Sequence, residues 1–365
     1  MANIAITADV HLGLTGRLQD SMYALKTIRA YCQLSKIDII LILGDLFHDR
    51  KYLEIDVLNQ ATDFFEECKR DYKQSWIAFP GNHDMYLRHS WRCNSLDPIN
   101  DKLEVISGIK DLVIDGRHFH ILPFIQQDSI YNQILGEMAK RADEETILLT
   151  HIGTKGATFN TCFTQVSGSS ITFQDTPYKR IFTGHYHNRQ SIGDRVYYPG
   201  SPIPFKHDEG GIPHGFLVLD TTTLEQKFIN IQKAGQKFFP NEPQPPNYYT
   251  IMYSDANTTD IDVIQNNHIR VVLNSTIADN ERESIRLILQ NHNPKSIKFI
   301  TPVEKIQTET SNQEIKTYGI SDYFDRWIKK DKNFKDLDEK LILKLNQEVI
   351  QLGDEQYLSQ IEENE

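Results

Sequence analysis

Short apolar runs alternate with longer amphipathic stretches through the first half of the chain. Residues 4–8, 37–43, 75–79 and 146–150 are each brief, apolar and bounded by polar residues or by Gly and Pro, which predicts buried strands. Between them, residues 18–34 and 55–68 place apolar side chains at helical spacing. This β-α-β-α order predicts a largely parallel inner sheet with helices outside it. After residue 178 the helical spacing stops. Residues 179–183, 195–198, 215–219 and 227–231 read as consecutive strands, expected to form a second sheet packed on the first in a four-layer α/β/β/α sandwich.

Pro240, Pro243, Pro245 and Pro246 crowd into one short stretch that excludes regular structure and predicts a linker. Beyond it the pattern resumes as a small α/β unit, with strands at 248–253, 268–273 and 296–300 and a helix at 279–290 capped by Asp279. A polar stretch, 301–317, precedes two amphipathic helices at 321–330 and 337–352. The expected boundaries are therefore 1–238, 247–303 and 318–356. A chain of 365 residues exceeds what one core usually serves, so several domains are expected.

Composition adds exclusions. Hydrophobic residues at 39% and charged residues at 24% are the balance of a globular chain, not a disordered one. Cys32, Cys68, Cys93 and Cys162 stand far apart with no CxxC pair, so neither a disulfide framework nor a thiolate zinc site is expected. A strand-like run directly after Met1 leaves no room for a signal peptide, and no apolar stretch approaches the ~18 residues of a membrane span. The expected setting is a reducing cytoplasm with no membrane. The net charge of −11 weighs against a nucleic-acid partner. Its distribution softens that, because the tail beyond residue 240 carries most of the acidity while 151–240 is locally basic.

Metal-binding side chains recur where the expected strands end. Asp9 and His11 follow the first strand, Asp45 the second, and Asn82 and His83 the third; His151 ends the fourth, and His185 and His187 follow the fifth. The carboxyl ends of parallel strands converge on one edge of a sheet, the usual place for a site in open α/β folds. Any one fragment reads as an ordinary turn or surface histidine. Five of them in order, each after a strand, read as one site. Hydrolysis of a phosphodiester needs charge neutralisation and a hydroxide nucleophile at neutral pH, which two ions about 3.5–4 Å apart supply. Imidazole, carboxylate and amide donors without thiolate suit Mn, Fe or Zn. One carboxylate has to bridge the pair, and the glycines beside Asp45, Asn82 and His185 allow short side chains to reach a shared centre.

With Asp-x-His, Gly-Asp, Gly-Asn-His-Asp, a strand-terminal His and Gly-His-x-His in place, the sequence resembles a calcineurin-like metallophosphoesterase. The resemblance implies that Asp9, His11, Asp45 and His187 hold one ion and that Asp45, Asn82, His151 and His185 hold the other, with Asp45 bridging. It implies that His83 serves as general acid or stabilises the transition state, supported by Asp84. The implied cofactor is a pair of divalent ions, Mn2+ first, with Mg2+, Fe or Zn as alternatives.

Gly44-Asp45-Leu46-Phe47-His48, Tyr198-Pro199-Gly200-Ser201-Pro202 and the 215–220 segment further resemble the SbcD-type nuclease subunit of double-strand-break-repair complexes, in bacterial or bacteriophage form. There His48 helps present the scissile phosphate. That resemblance implies a DNA nuclease, exonuclease on double strands and endonuclease on single strands, whose 247–303 unit directs DNA as a capping domain. It also implies a homodimer and an SbcC-type coiled-coil ATPase gripped by the terminal helices. Ile320, Tyr323, Phe324 and Trp327 lie at helical spacing there, roughly extended by Leu341, Leu345 and Ile350, although the same stripe would equally pack on its own domain. The alternative is a metallophosphodiesterase or phosphatase acting on nucleotides or other small phosphoesters. Asp84, where protein phosphatases usually have Glu, disfavours that last class.

Overall fold

The first sheet of the computed structural model runs, edge to edge, β12 (Gln226–Asn230), β11 (Gly215–Asp220), β1 (Asn3–Thr7), β2 (Ile39–Leu43), β3 (Ser75–Phe79) and β4 (Glu104–Val105). Strands β1 to β4 are mutually parallel, and β11 returns antiparallel to β1. The second sheet runs β5 (Lys110–Ile114), β6 (Arg117–Leu122), β7 (Ile147–His151), β8 (Arg180–Gly184), β10 (Val196–Tyr198) and β9 (Gln190–Ile192), with β6, β7, β8 and β10 parallel. The structure describes residues 3–88, 90–158, 169–256, 259–273 and 279–301. The two expected C-terminal helices lie outside them.

Both faces of the central strands are covered, which is why they read as unbroken apolar runs. On β1, Ile4 and Ile6 face the other sheet, where Phe119, Ile121, Ile147, Leu149 and Phe182 meet them. Ala5 between them faces outward, into the layer of α1 (Leu18–Ser35) and α2 (Ile55–Arg70), whose Leu25, Ile28, Phe64 and Phe65 cover it. The far face of the second sheet is covered by α3 (Asp128–Ala139) through Tyr131, Leu135 and Met138. The result is the expected mixed α/β arrangement of two large sheets flanked by helices.

Sheet membership differs from expectation in two places. The 147–151 strand belongs to the second sheet, and the 215–220 and 226–230 strands close the edge of the first. Helices also do not stop at 178: α4 (Ile231–Phe238) begins where β12 ends, with Asn230 accepting from the Lys233 amide as its cap. Strands β5 and β6 and helix α3 had no counterpart in the sequence reading.

The small α/β unit carries β13 (Tyr248–Met252), β14 (His268–Val272) and β15 (Ser296–Ile300), all parallel, with α5 (Ile261–Ile264) and α6 (Asp279–Gln290). Ile269, Val271, Ile285 and Leu289 form its separate core. Among the described residues, no helix is long and apolar enough to cross a membrane.

Candidate metal centre

The side chains singled out in the sequence converge where the ends of the two sheets meet, not on the edge of one sheet. Asp9 and His11 come from the loop after β1, Asp45 from the loop after β2, and Asn82 and His83 from the loop after β3; β7 and β8 of the second sheet bring His151, His185 and His187. The loops are interlocked: the Asp9 amide donates to the Gly44 carbonyl at 3.1 Å and the His11 amide to the Asp45 carbonyl at 3.0 Å. Asp9, His11, Asp45 and His185 all take positive φ, at 53°, 51°, 53° and 96°. Four non-glycine residues in the left-handed region mark a stretch whose surroundings over-determine its backbone, as functional sites often do. Gly44 (φ 80°) packs so closely that a Cβ there would lie against His151 Nδ1 and 2.8 Å from Gly81 Cα.

Three groups of donors form among the described residues. Asp9, His11 and His187 offer ligand atoms close together, so do Asp9, Asp45 and His151, and so do His11, His48 and His83. His11 Nε2 lies 3.0 Å from His187 Nε2. Asn82 Oδ1 lies 2.8 Å from His185 Nδ1 and 3.1 Å from His151 Nε2. Asp9 is shared by two of the groups, and Asp45 Oδ2 lies 3.4 Å from His151 Nε2 and 3.9 Å from His11 Nε2. All seven expected ligands are thus brought together.

The far nitrogens show which atoms face inward. His151 Nδ1 donates to the Leu43 carbonyl at 2.7 Å, and His187 Nδ1 donates to Glu209 Oε1 at 2.7 Å. In neutral rings this leaves Nε2 as a lone pair. His187 Nε2 then faces His11 Nε2, and His151 Nε2 faces two acceptor oxygens, so either a proton on one partner or a cation has to lie between them. Buried imidazole and carboxylate donors this close together, without thiolate, fit divalent ions held by N and O atoms.

Titration responds to the same crowding. Burial and then His187 hold His11 well below the ordinary imidazole value, and burial and then His151 lower His185 to about 3. Burial also opposes charge on His151, yet Asp45 and Asp9 outweigh it and lift the ring to about 9. Burial raises Asp9 to about 6. For Asp45, burial is opposed by His151, His11 and His83, and its carboxyl ends well below the usual range.

His83 and His48 stack at 5.2 Å between centroids on the half-buried side of the cluster. His83 Nδ1 donates to the His48 carbonyl at 2.7 Å, and the His83 amide donates to Asp45 Oδ1 at 2.7 Å. His48 Nδ1 is 3.3 Å from His11 Nδ1. Asp84 is placed differently from expectation. Its buried carboxylate accepts from the amides of Leu46, Phe47 and Gly81 and from Ser95 Oγ, so the His83 ring is oriented by a main-chain oxygen. Sequence reading missed Glu209, which is 1% exposed and accepts from His187 and, at 2.7 Å, from the Phe205 amide. It ends the short 3-10 turn His207–Glu209, in no recurrent motif, and the only available signal was its distance downstream of Gly-His-x-His.

A two-sheet sandwich with paired Asp, His and Asn donor groups at its joined ends defines a metallophosphoesterase-type fold and site. The chain belongs to the calcineurin-like phosphoesterase family, whose model matches residues 2–189. A protein of Invertebrate iridescent virus 3 named as a phosphoesterase is 22% identical over 173 residues, 46% of this chain and 48% of that protein. The match therefore spans about half the length of that relative. Among solved structures, GAP50 of Plasmodium is 12% identical over 66% of this chain and 95% of its own, with a TM-score of 0.41. The nuclease MPE of Pseudomonas putida is 14% identical over 61% and 87%, with a TM-score of 0.31. A dimetal phosphatase of Danio rerio is 12% identical over 60% and 91%, with a TM-score of 0.35. At these levels the likenesses carry no argument about substrate.

Proposed function

We propose that the chain is a two-metal phosphodiesterase acting on DNA. In this reading Asp9, His11, Asp45 and His187 hold one ion and Asp45, Asn82, His151 and His185 the other. The ions, Mn2+ first among candidates, supply charge neutralisation and nucleophile activation when bound. His83, with Nδ1–H committed to the His48 carbonyl, presents Nε2 to substrate and, as the imidazolium with both nitrogens protonated, can hand the Nε2 proton to the leaving oxygen and return to the neutral ring. The observation that carries the choice of a phosphodiester is the stacked His48–His83 pair beside the buried donors, two imidazoles available to one phosphate.

DNA as the substrate draws support from the His48 motif and from the small α/β unit beside the core. Exonuclease action on double strands, endonuclease action on single strands, homodimer formation and an SbcC-type ATPase partner belong to the same proposal. The test is degradation of linear DNA with Mn2+, with His83→Ala expected to abolish cleavage while both ions stay bound. Intact DNA with Mn2+ and the ATPase supplied refutes it. The net charge of −11 favours a second reading, a small phosphoester as substrate. Hydrolysis of bis-p-nitrophenyl phosphate without DNA cleavage would select that one.

A further inference from the structure

One short turn touches both the metal centre and the small α/β unit. Glu209 accepts from His187 Nδ1, while its neighbour Asp208 accepts from Arg270 on β14 at 3.1 Å. His207 sets its ring edge-on to Tyr248 of β13, 5.0 Å between centroids. Upstream, the Pro204 carbonyl accepts from the buried Arg17 guanidinium at 2.8 Å, and that guanidinium lies 5.5 Å from the Tyr248 ring centroid. Phe205, between these points, stands edge-on to both His11 and His187. Gly210 closes the turn, with space for a Cβ denied by the Tyr248 carbonyl.

From these contacts we propose that Glu209 is a positioning residue for His187 and that its turn makes the metal centre sensitive to docking of the small α/β unit. The inference rests on the two-metal reading above and adds a regulatory input to it. A carboxylate behind a ligating imidazole fixes the ring's tautomer and direction. Glu209 is held by the Phe205 amide on one oxygen and His187 on the other, so it cannot shift without moving the ring. The turn is in turn held by Arg270 through Asp208 and by Arg17 through Pro204. An occupant that shifts β13 and β14 would pull the turn and with it His187, with no contact to any ligand.

The experiment is Mn2+ titration of the full chain by calorimetry and EPR, with Glu209→Gln, Glu209→Ala, Arg270→Ala and the charge swap Asp208→Arg/Arg270→Asp. Glu209→Ala is expected to weaken the His187-side ion about tenfold or more while sparing the His151-side ion. Glu209→Gln should recover part of that, Arg270→Ala should weaken the same ion less, and the charge swap should restore it. Nitrogen NMR of the metal-free chain at alkaline pH reads the ring without any ion. Wild type should hold His187 as the Nδ1–H tautomer, and Glu209→Ala and Arg270→Ala should mix the two. Two ions bound with wild-type affinity in Glu209→Ala, or an Arg270→Ala variant unchanged in both affinity and tautomer, overturns the proposal. A wild type that binds no ion while its His187 tautomer still depends on Glu209 and Arg270 refutes the two-metal reading and leaves the coupling standing.

Discussion

Replacing Asp84 separates an anchoring role from a catalytic one. Its Oδ2 accepts from the Leu46 amide at 3.3 Å and the Gly81 amide at 3.0 Å, and its Oδ1 from the Phe47 amide at 3.0 Å and Ser95 Oγ at 3.2 Å. The side chain thereby ties the loop after β2 to the loop after β3. In Asp84→Ala three buried amides lose their acceptor, and at about 1–3 kcal/mol each the loss is roughly 3 kcal/mol or more. Asp84→Asn keeps one oxygen and its two partners. Its amide group can face Ser95, whose hydroxyl can turn to accept, which leaves one orphaned amide and a cost of about 1–3 kcal/mol. Urea denaturation in EDTA measures both, because no ion then contributes to stability. We expect the order wild type, Asp84→Asn, Asp84→Ala, with Asp84→Asn keeping both ions and most turnover at a temperature where it is folded. Variants with wild-type midpoints and no turnover would refute the reasoning and return Asp84 to a role in catalysis through His83.

Two further outcomes follow from the same geometry. Gly44→Ala places a Cβ 2.8 Å from Gly81 Cα at a φ of 80°. The left-handed strain alone is about 1–2 kcal/mol, so both the denaturation midpoint and Mn2+ affinity should fall; an unchanged affinity would show that the loop can open. In the metal-free chain His151 is lifted from 6.5 to about 9. A raised folded value stabilises fully below the unfolded one and is lost as pH rises through the folded one. Stability should therefore decline between about pH 6.5 and 9 by something on the order of 3 kcal/mol. His151→Gln should flatten that decline in denaturation series in EDTA, and a slope that persists would assign it elsewhere.

The clustering of these side chains was legible in the sequence because each stands at or just beyond the end of a strand and carries its own chemistry. Asp9, Asp45, Asn82 and His151 needed only local pattern to be found. Which sheet a strand joins was not legible. Residues 147–151 and 39–43 are both buried on two faces, so the same apolar run serves either sheet. Partnership across sequence was hidden for the same reason: nothing near Glu209 announces His187, and Asp84 beside His83 suggested a contact that its backbone partners pre-empt. The β5–β6 hairpin escaped because Val113 is exposed and His118 and His120 interrupt the apolar run, leaving a weak period of two.

The place of β11 beside β1 has a consequence for how this chain can be shortened or made. Until residues 215–220 arrive, the strand that leads to Asp9 and His11 is an open edge, with the backbone groups of Asn3 to Ile6 unpaired on that side. A polypeptide stopped just after His187 would contain every proposed ligand and still expose a bare, hydrophobic β1. Such a fragment should self-associate through that edge, so the shortest piece worth purifying ends beyond Asn230, where β12 has shielded β11 in its turn.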